Sequence, residues 1–193
     1  MNFKIKQLSA PIMAHLELTN QCNHRCIHCY KLSSDIINRP IDNTDDELIF
    51  SNAQKLIDGG ILQIIITGGE PLMKGGLVKR IILLAKEHDV IVSLNTNLTL
   101  LDNDMVEFLK ETKTRILVSC PSSIRYSYEA ITQTNNLQCF ENNLSKVIKA
   151  GVKTAVNMVV MKNNLSEIRD TAKRIQQLGC VAFCVTPVAL NME

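Results

Sequence analysis

Cys22, Cys26 and Cys29, spaced Cys-x3-Cys-x2-Cys just after an apolar run that ends at Leu18, are the residues of this chain best suited to chemistry. Thiolates are the ligands of iron-sulfur clusters, and four of them normally complete a cluster. A compact loop of three, with no fourth cysteine nearby, would hold three irons of a cubane and leave the last iron open to another molecule. An open iron reacts with what it binds, so the spacing points to catalysis over electron storage. The same thiols could build a zinc site with His24 or His28, because Cys3His is a common structural set. Against that, His28 adjoins Cys29 and no second Cys-x2-Cys pair follows.

A second cluster of candidate residues follows the apolar run through Ile64, Ile65 and Ile66: Gly68, Gly69, Glu70 and Pro71. Glycine lets backbone approach a ligand more closely than a Cβ would allow, and a glutamate supplies a carboxylate for a charge-assisted bond. Two glycines alone mark an ordinary turn. Behind a buried strand, and in one chain with the cysteine loop, they read as cofactor binding.

Elements that could position these residues recur along the chain. Strands are expected over residues 14–18, 62–67, 90–95, 115–119, 154–160 and 181–186. Thr44 with Glu47 forms a capping box opening a helix that Gly59 and Gly60 close. Helices are also expected over 74–88, 102–110 and 143–150, and a last one opens at Asn164 with Glu167 and ends at Leu178 before Gly179. Alternating strands and helices predict an α/β fold with a parallel sheet. At roughly 30 residues per unit the chain holds six units, short of the eight in a closed barrel of about 250 residues. The expected fold is therefore a partial (β/α)6 TIM-like barrel with parallel strands, in which the motifs fall at the C-terminal ends of strands, where such folds place their ligands.

The cysteine spacing together with Gly68, Gly69, Glu70 and Pro71 resembles the radical S-adenosylmethionine (radical SAM) superfamily, over about residues 14–187. The resemblance implies a 4Fe-4S cluster held by Cys22, Cys26 and Cys29, and S-adenosyl-L-methionine (SAM) chelated to the open iron. It implies reductive cleavage of SAM and hydrogen abstraction from a substrate by a 5'-deoxyadenosyl radical, with Gly68, Gly69 and Glu70 meeting the SAM ammonium group and His28 lying beside the adenine. Asn97 matches a third-strand position that the family usually follows with glycine; here Leu98 follows. Ser119 matches a fourth-strand serine that meets the methionine carboxylate or ribose, and Asn157 a fifth-strand polar residue near the ribose. Pro121 stands where many relatives carry aspartate. The segment from Val118 through Pro187 looks most like members that modify peptides or proteins (SPASM-type), which implies a peptide or protein substrate and an external electron donor. The cysteine-rich C-terminal extension of those members is expected to be absent, leaving one core domain over residues 1–193 with a lead-in at 1–13.

Two other readings stay open: a small member acting on a cofactor precursor or activating another enzyme, and a truncated relative that binds a cluster or zinc without turnover. Composition narrows the field. A formal net charge of +2 leaves no electrostatic footprint for nucleic acid, and the basic residues Lys79, Arg80, Lys86, Lys110 and Lys113 read as solvated helix faces. No stretch approaches the roughly 20 apolar residues of a membrane helix, and the N-terminal residues lack the apolar region of a secretory signal. Seven cysteines, an odd number, favour thiolate ligands and buried thiols over a disulfide framework. The cytoplasm is the expected location. Cys120, Cys139, Cys180 and Cys184 are expected to be structural.

Overall fold

The computed structural model describes residues 11–31 and 44–188. Strands and helices alternate: β1 (Met13–Glu17), α1 (Asp46–Asp58), β2 (Gln63–Thr67), α2 (Gly75–Glu87), β3 (Ile91–Thr96), α3 (Asn103–Glu111), β4 (Arg115–Ser119), α4 (Arg125–Thr132), α5 (Leu137–Lys149), β5 (Thr154–Val160), α6 (Ile168–Gln177) and β6 (Phe183–Pro187). The strands pair in chain order from β1 to β6, every pair parallel. Among the described residues no pairing returns β6 to β1, so the sheet is the open, six-stranded partial barrel that the sequence predicts.

Side chains alternate across a strand with a period of two, and here the two faces differ in chemistry. Ile64, Ile66, Leu94, Ile116, Val118 and Val156 are buried in one cluster with helix residues such as Ile57, Val78, Ile81, Val106 and Leu144. Burying each such side chain contributes about 1.5–3 kcal/mol, which fixes the strand faces because a slip of one residue would turn all of them outward. The alternate positions are often polar: Gln63 Nε2 donates to Ser93 Oγ at 3.2 Å, and Ser119 lies beside Asn157 in the register of β4 and β5. That second face lines the hollow of the barrel.

Several helix ends differ from the sequence expectation. α1 is capped by Asp45, whose carboxylate accepts from Glu47 N at 2.9 Å and Leu48 N at 3.3 Å. Aspartate caps as well as threonine does, and Thr44 is instead engaged across the fold, donating to Leu18 O at 3.2 Å and accepting from Lys74 Nζ at 2.6 Å. α5 begins at Leu137 rather than at residue 143, because Leu137, Phe140, Leu144 and Val147 form one buried stripe at helical spacing. Asn164 opens a helical turn as expected, but its side chain makes no capping bond. Its side chain is fully buried, accepting from Met161 N at 2.7 Å and donating to Pro121 O at 2.9 Å and Val159 O at 3.0 Å, and a short 3₁₀ turn (Leu165–Glu167) leads into α6. α4 escapes the sequence reading altogether: it carries no side-chain cap and ends on Gln133 with φ +57.

Candidate active site

The three cysteines lie in the loop that leaves β1, at the C-terminal end of the sheet. Two neighbours grip that loop by its backbone. On one side Gly69 N donates to Thr19 O at 2.6 Å and Glu70 N to Gln21 O at 2.8 Å; on the other Arg25 N donates to Thr132 O at 3.0 Å and Ile27 N to Ile131 O at 2.9 Å, at the end of α4. Within the loop Cys29 N donates to Cys26 O at 3.0 Å and His24 N to Cys22 Sγ at 3.4 Å. His24 itself is buried, its ring edge-on to Tyr128 with centroids 6.3 Å apart.

The glycines are demanded by this contact. A Cβ on Gly69 would stand 1.9 Å from Gln21 O, and one on Gly68, where φ is +140, would stand 2.7 Å from Thr19 O. The closest approach these two glycines make is thus to the cysteine loop itself. Glu70 follows with its carboxylate buried: Oε1 accepts from Leu72 N at 3.0 Å and from Thr96 Oγ1 at 2.7 Å, and Oε2 accepts from Asn97 N at 2.7 Å. Burial pushes this carboxyl above its ordinary value, opposed by those three donors. One carboxylate therefore caps the 3₁₀ turn Pro71–Lys74 and ties the end of β2 to the end of β3.

From Asn97 the network runs back to the cysteines. Asn97 Nδ2 donates to Asn23 Oδ1 at 2.7 Å and to Cys22 Sγ at 3.8 Å. Asn23 Nδ2 donates to Thr99 Oγ1 at 2.8 Å, and Thr99 donates to Asn97 Oδ1 from both its backbone N at 3.0 Å and its hydroxyl at 2.7 Å. Thr96, Thr99, Asn23 and the end of α4 are functional neighbours that sequence reasoning missed. The threonines carried a faint signal, being polar residues at the end of an apolar strand; α4 carried none.

A cavity of about 370 Å³ opens among these elements, lined by all three cysteines and by His28, Gly68, Gly69, Glu70, Asn97 and Ser119. Asn157 is not in its lining: its Oδ1 accepts from Thr186 Oγ1 at 2.8 Å. His28 Nδ1 is buried without a hydrogen-bond partner, and burial lowers this ring below its ordinary value. A buried polar atom is nearly always satisfied in a folded protein, so a vacant ring nitrogen beside this cavity fits a bound group that would meet it. The donor set fits a cluster by its chemistry as well: three thiols from one loop, the ligand type that iron-sulfur clusters take.

The remaining cysteines divide by exposure. Cys120 and Cys180 are buried, Cys139 in α5 and Cys184 in β6 are exposed, and Cys139 Sγ donates to Thr99 O at 3.4 Å. Of the basic residues, Arg80 forms a forked pair with Glu47 at 2.6 and 3.0 Å and Lys110 meets Glu107 at 3.2 Å, while Lys79 pairs with Asp104. Lys86 and Lys113 line a separate concavity of about 310 Å³ at the opposite end of the strands. No helix among the described residues is long and apolar enough to cross a membrane.

Comparison with known proteins agrees with this geometry. Residues 16–175 match the radical SAM superfamily. The chain is 30% identical over 178 residues to the antilisterial bacteriocin subtilosin biosynthesis protein AlbA of Bacillus subtilis, covering 90% of this chain and 38% of AlbA. It is 26% identical over 181 residues to a probable GTP 3',8-cyclase of Methanocaldococcus jannaschii, covering 92% of this chain and 59% of that protein. The chain thus spans less than two thirds of either relative. In structure it resembles Streptococcus suis SuiB bound to S-adenosylmethionine, with a TM-score of 0.79 at 16% identity over 94% of this chain and 41% of SuiB; SuiB has also been solved bound to its precursor peptide SuiA.

Proposed function

This chain belongs to the radical SAM superfamily, an enzyme family whose cofactors are a 4Fe-4S cluster and SAM, and from that premise we propose that it initiates radical chemistry on a peptide or protein substrate. The observation that carries the reading is the single cavity that gathers Cys22, Cys26 and Cys29 with Gly68, Gly69, Glu70, His28 and Ser119. When bound, the two cofactors together supply a carbon radical able to abstract hydrogen from the substrate. The protein's part is to bind and orient. Cys22, Cys26 and Cys29 are the cluster ligands. The backbone of Gly68 to Glu70 would hold the SAM amino group, Ser119 would meet its carboxylate or ribose, and His28 would meet the adenine. Asn157, its Oδ1 accepting from Thr186 Oγ1, would offer its amide N–H groups to the ribose. An external one-electron donor would reduce the cluster, and the cytoplasm is a reducing compartment that suits it.

A peptide substrate is supported by the 30% identity to AlbA over most of the chain. The GTP 3',8-cyclase relatives favour a second reading, a nucleotide in the same cavity. The two are separable by experiment. Anaerobically reconstituted protein, reduced with dithionite, should convert SAM to 5'-deoxyadenosine and methionine. Replacing any one of Cys22, Cys26 or Cys29 by Ala should abolish that cleavage and the charge-transfer absorbance together, while Cys139→Ser and Cys180→Ser keep both. Cleavage stimulated by GTP and not by peptides encoded alongside the protein would overturn the peptide reading; a full iron and sulfide load on the triple cysteine variant would overturn the site.

A further inference from the structure

We propose that Asn97 is a positioning residue that hydrogen-bonds the sulfur of Cys22 and raises the cluster's reduction potential, rather than a ligand of SAM; the inference rests on the cluster assignment above. A side-chain amide has two N–H donors and two acceptor lone pairs. In Asn97 all four are used within the protein. Oδ1 accepts from Thr99 N at 3.0 Å and from Thr99 Oγ1 at 2.7 Å, and Nδ2 donates to Asn23 Oδ1 at 2.7 Å and to Cys22 Sγ at 3.8 Å.

The orientation of the amide is fixed by its neighbours. The backbone N–H of Thr99 can only donate, so the atom facing it is oxygen and the NH2 group must point to Asn23 and Cys22. The backbone of Asn97 is held just as firmly, its N–H on Glu70 Oε2 at 2.7 Å with the carboxylate braced by Leu72 N and Thr96 Oγ1. A rigid line therefore runs from Glu70 through Asn97 to Cys22.

Cys22 Sγ accepts a second N–H, from His24 at 3.4 Å. Hydrogen bonds to cluster sulfurs draw off negative charge and favour the reduced, more negative state. Reduction is the electron-accepting step that an external donor must drive, so a donor on Cys22 makes that donor's task easier.

Two variants test this. Asn97→Asp keeps the oxygen that Thr99 needs and loses the donor; Asn97→Ala loses the donor without adding charge. Anaerobic redox titration of each reconstituted protein, without SAM, should show an unchanged iron and sulfide load and a midpoint shifted to more negative potential in both, while SAM affinity of the Ala variant stays at the parent value. A midpoint equal to the parent in both variants overturns the proposal, and an Ala variant with parent potential and SAM binding weakened about tenfold or more would make Asn97 a SAM ligand. Should neither variant hold iron, the parent protein decides. With asparagine side chains labelled by ¹⁵N, the reduced cluster should show hyperfine coupling to an amide nitrogen, and its absence overturns the proposal. A parent that takes up no iron and sulfide refutes the cluster assignment itself, a result distinct from a loaded cluster whose potential ignores Asn97.

Discussion

Glu70 is a buried acidic residue, and its three donors explain how it is tolerated there. Glu70→Gln keeps the shape but turns an NH2 group toward one of those N–H donors, leaving two donors facing each other. The expected cost is about 1–3 kcal/mol of folding stability, read as a lowered denaturation midpoint of the cluster-free protein. Weaker SAM binding with unchanged stability would mean instead that the carboxylate meets the ligand and not its neighbours. Cys120 offers a test by pH. Burial pushes its thiol up to about 12, whereas an unfolded thiol loses its proton near about 8.5. The folded pKa is the higher one, so this group's contribution to stability is full below the unfolded value and is lost as pH rises toward the folded one. The loss has a slope of about 1.4 kcal/mol per pH unit. Urea unfolding from pH 8 upward should show Cys120→Ala flattening the alkaline decline, and an identical decline in parent and variant would refute it. In the native protein at neutral pH, exposed Cys139 and Cys184 should alkylate and buried Cys120 and Cys180 should not.

At the scale of elements, the turn after β3 shows how packing overrides local preference. Leu98 adopts φ +68 and is fully buried, in a conformation that costs a side chain about 1–2 kcal/mol. Glycine would avoid the strain, and the superfamily that this chain resembles usually places one there. Leucine persists because removing such a buried side chain costs about 2–5 kcal/mol; Asn143 Nδ2 also anchors the turn through Leu98 O at 2.9 Å. Leu98→Gly should therefore destabilise the protein by a net of up to about 4 kcal/mol, the difference between those two effects. A stabilised glycine variant in thermal melts would show that strain outweighs burial. The forked pair of Arg174 with Glu141, both contacts at 2.7 Å, pins α6 to α5 in the same way, and the hydrogen bonds that Arg174 donates to Glu141 raise the guanidinium above its ordinary value.

Across the whole molecule, burial falls from the middle of the sheet to its edge. Ile64, Ile66, Leu94, Val118 and Val156 are fully buried, whereas β6 is mostly exposed, with Val185 at 46%. Amide exchange should follow that gradient, slowest in β2, β3 and β4 and fastest in β6, because local opening is easiest where little apolar surface is buried; uniform protection across all six strands would contradict it. What the sequence by itself determined was periodicity and chemistry: apolar runs that must be strands, amphipathic stretches that must be helices, and three thiols and two glycines whose types and spacing have few uses. Those are local properties, fixed by backbone sterics and side-chain chemistry within a few residues. Tertiary structure decided which partners those residues meet. Nothing local reveals that Gly69 faces Gln21 O, that α4 grips the cysteine loop, that Asn157 is engaged by Thr186, or that Asn97 spends both its amide hydrogens on Asn23 and Cys22. Asn23 and Asn97 lie 74 positions apart in the chain, and contacts at that separation exist only once burial of the strands has assembled the sheet that brings them together.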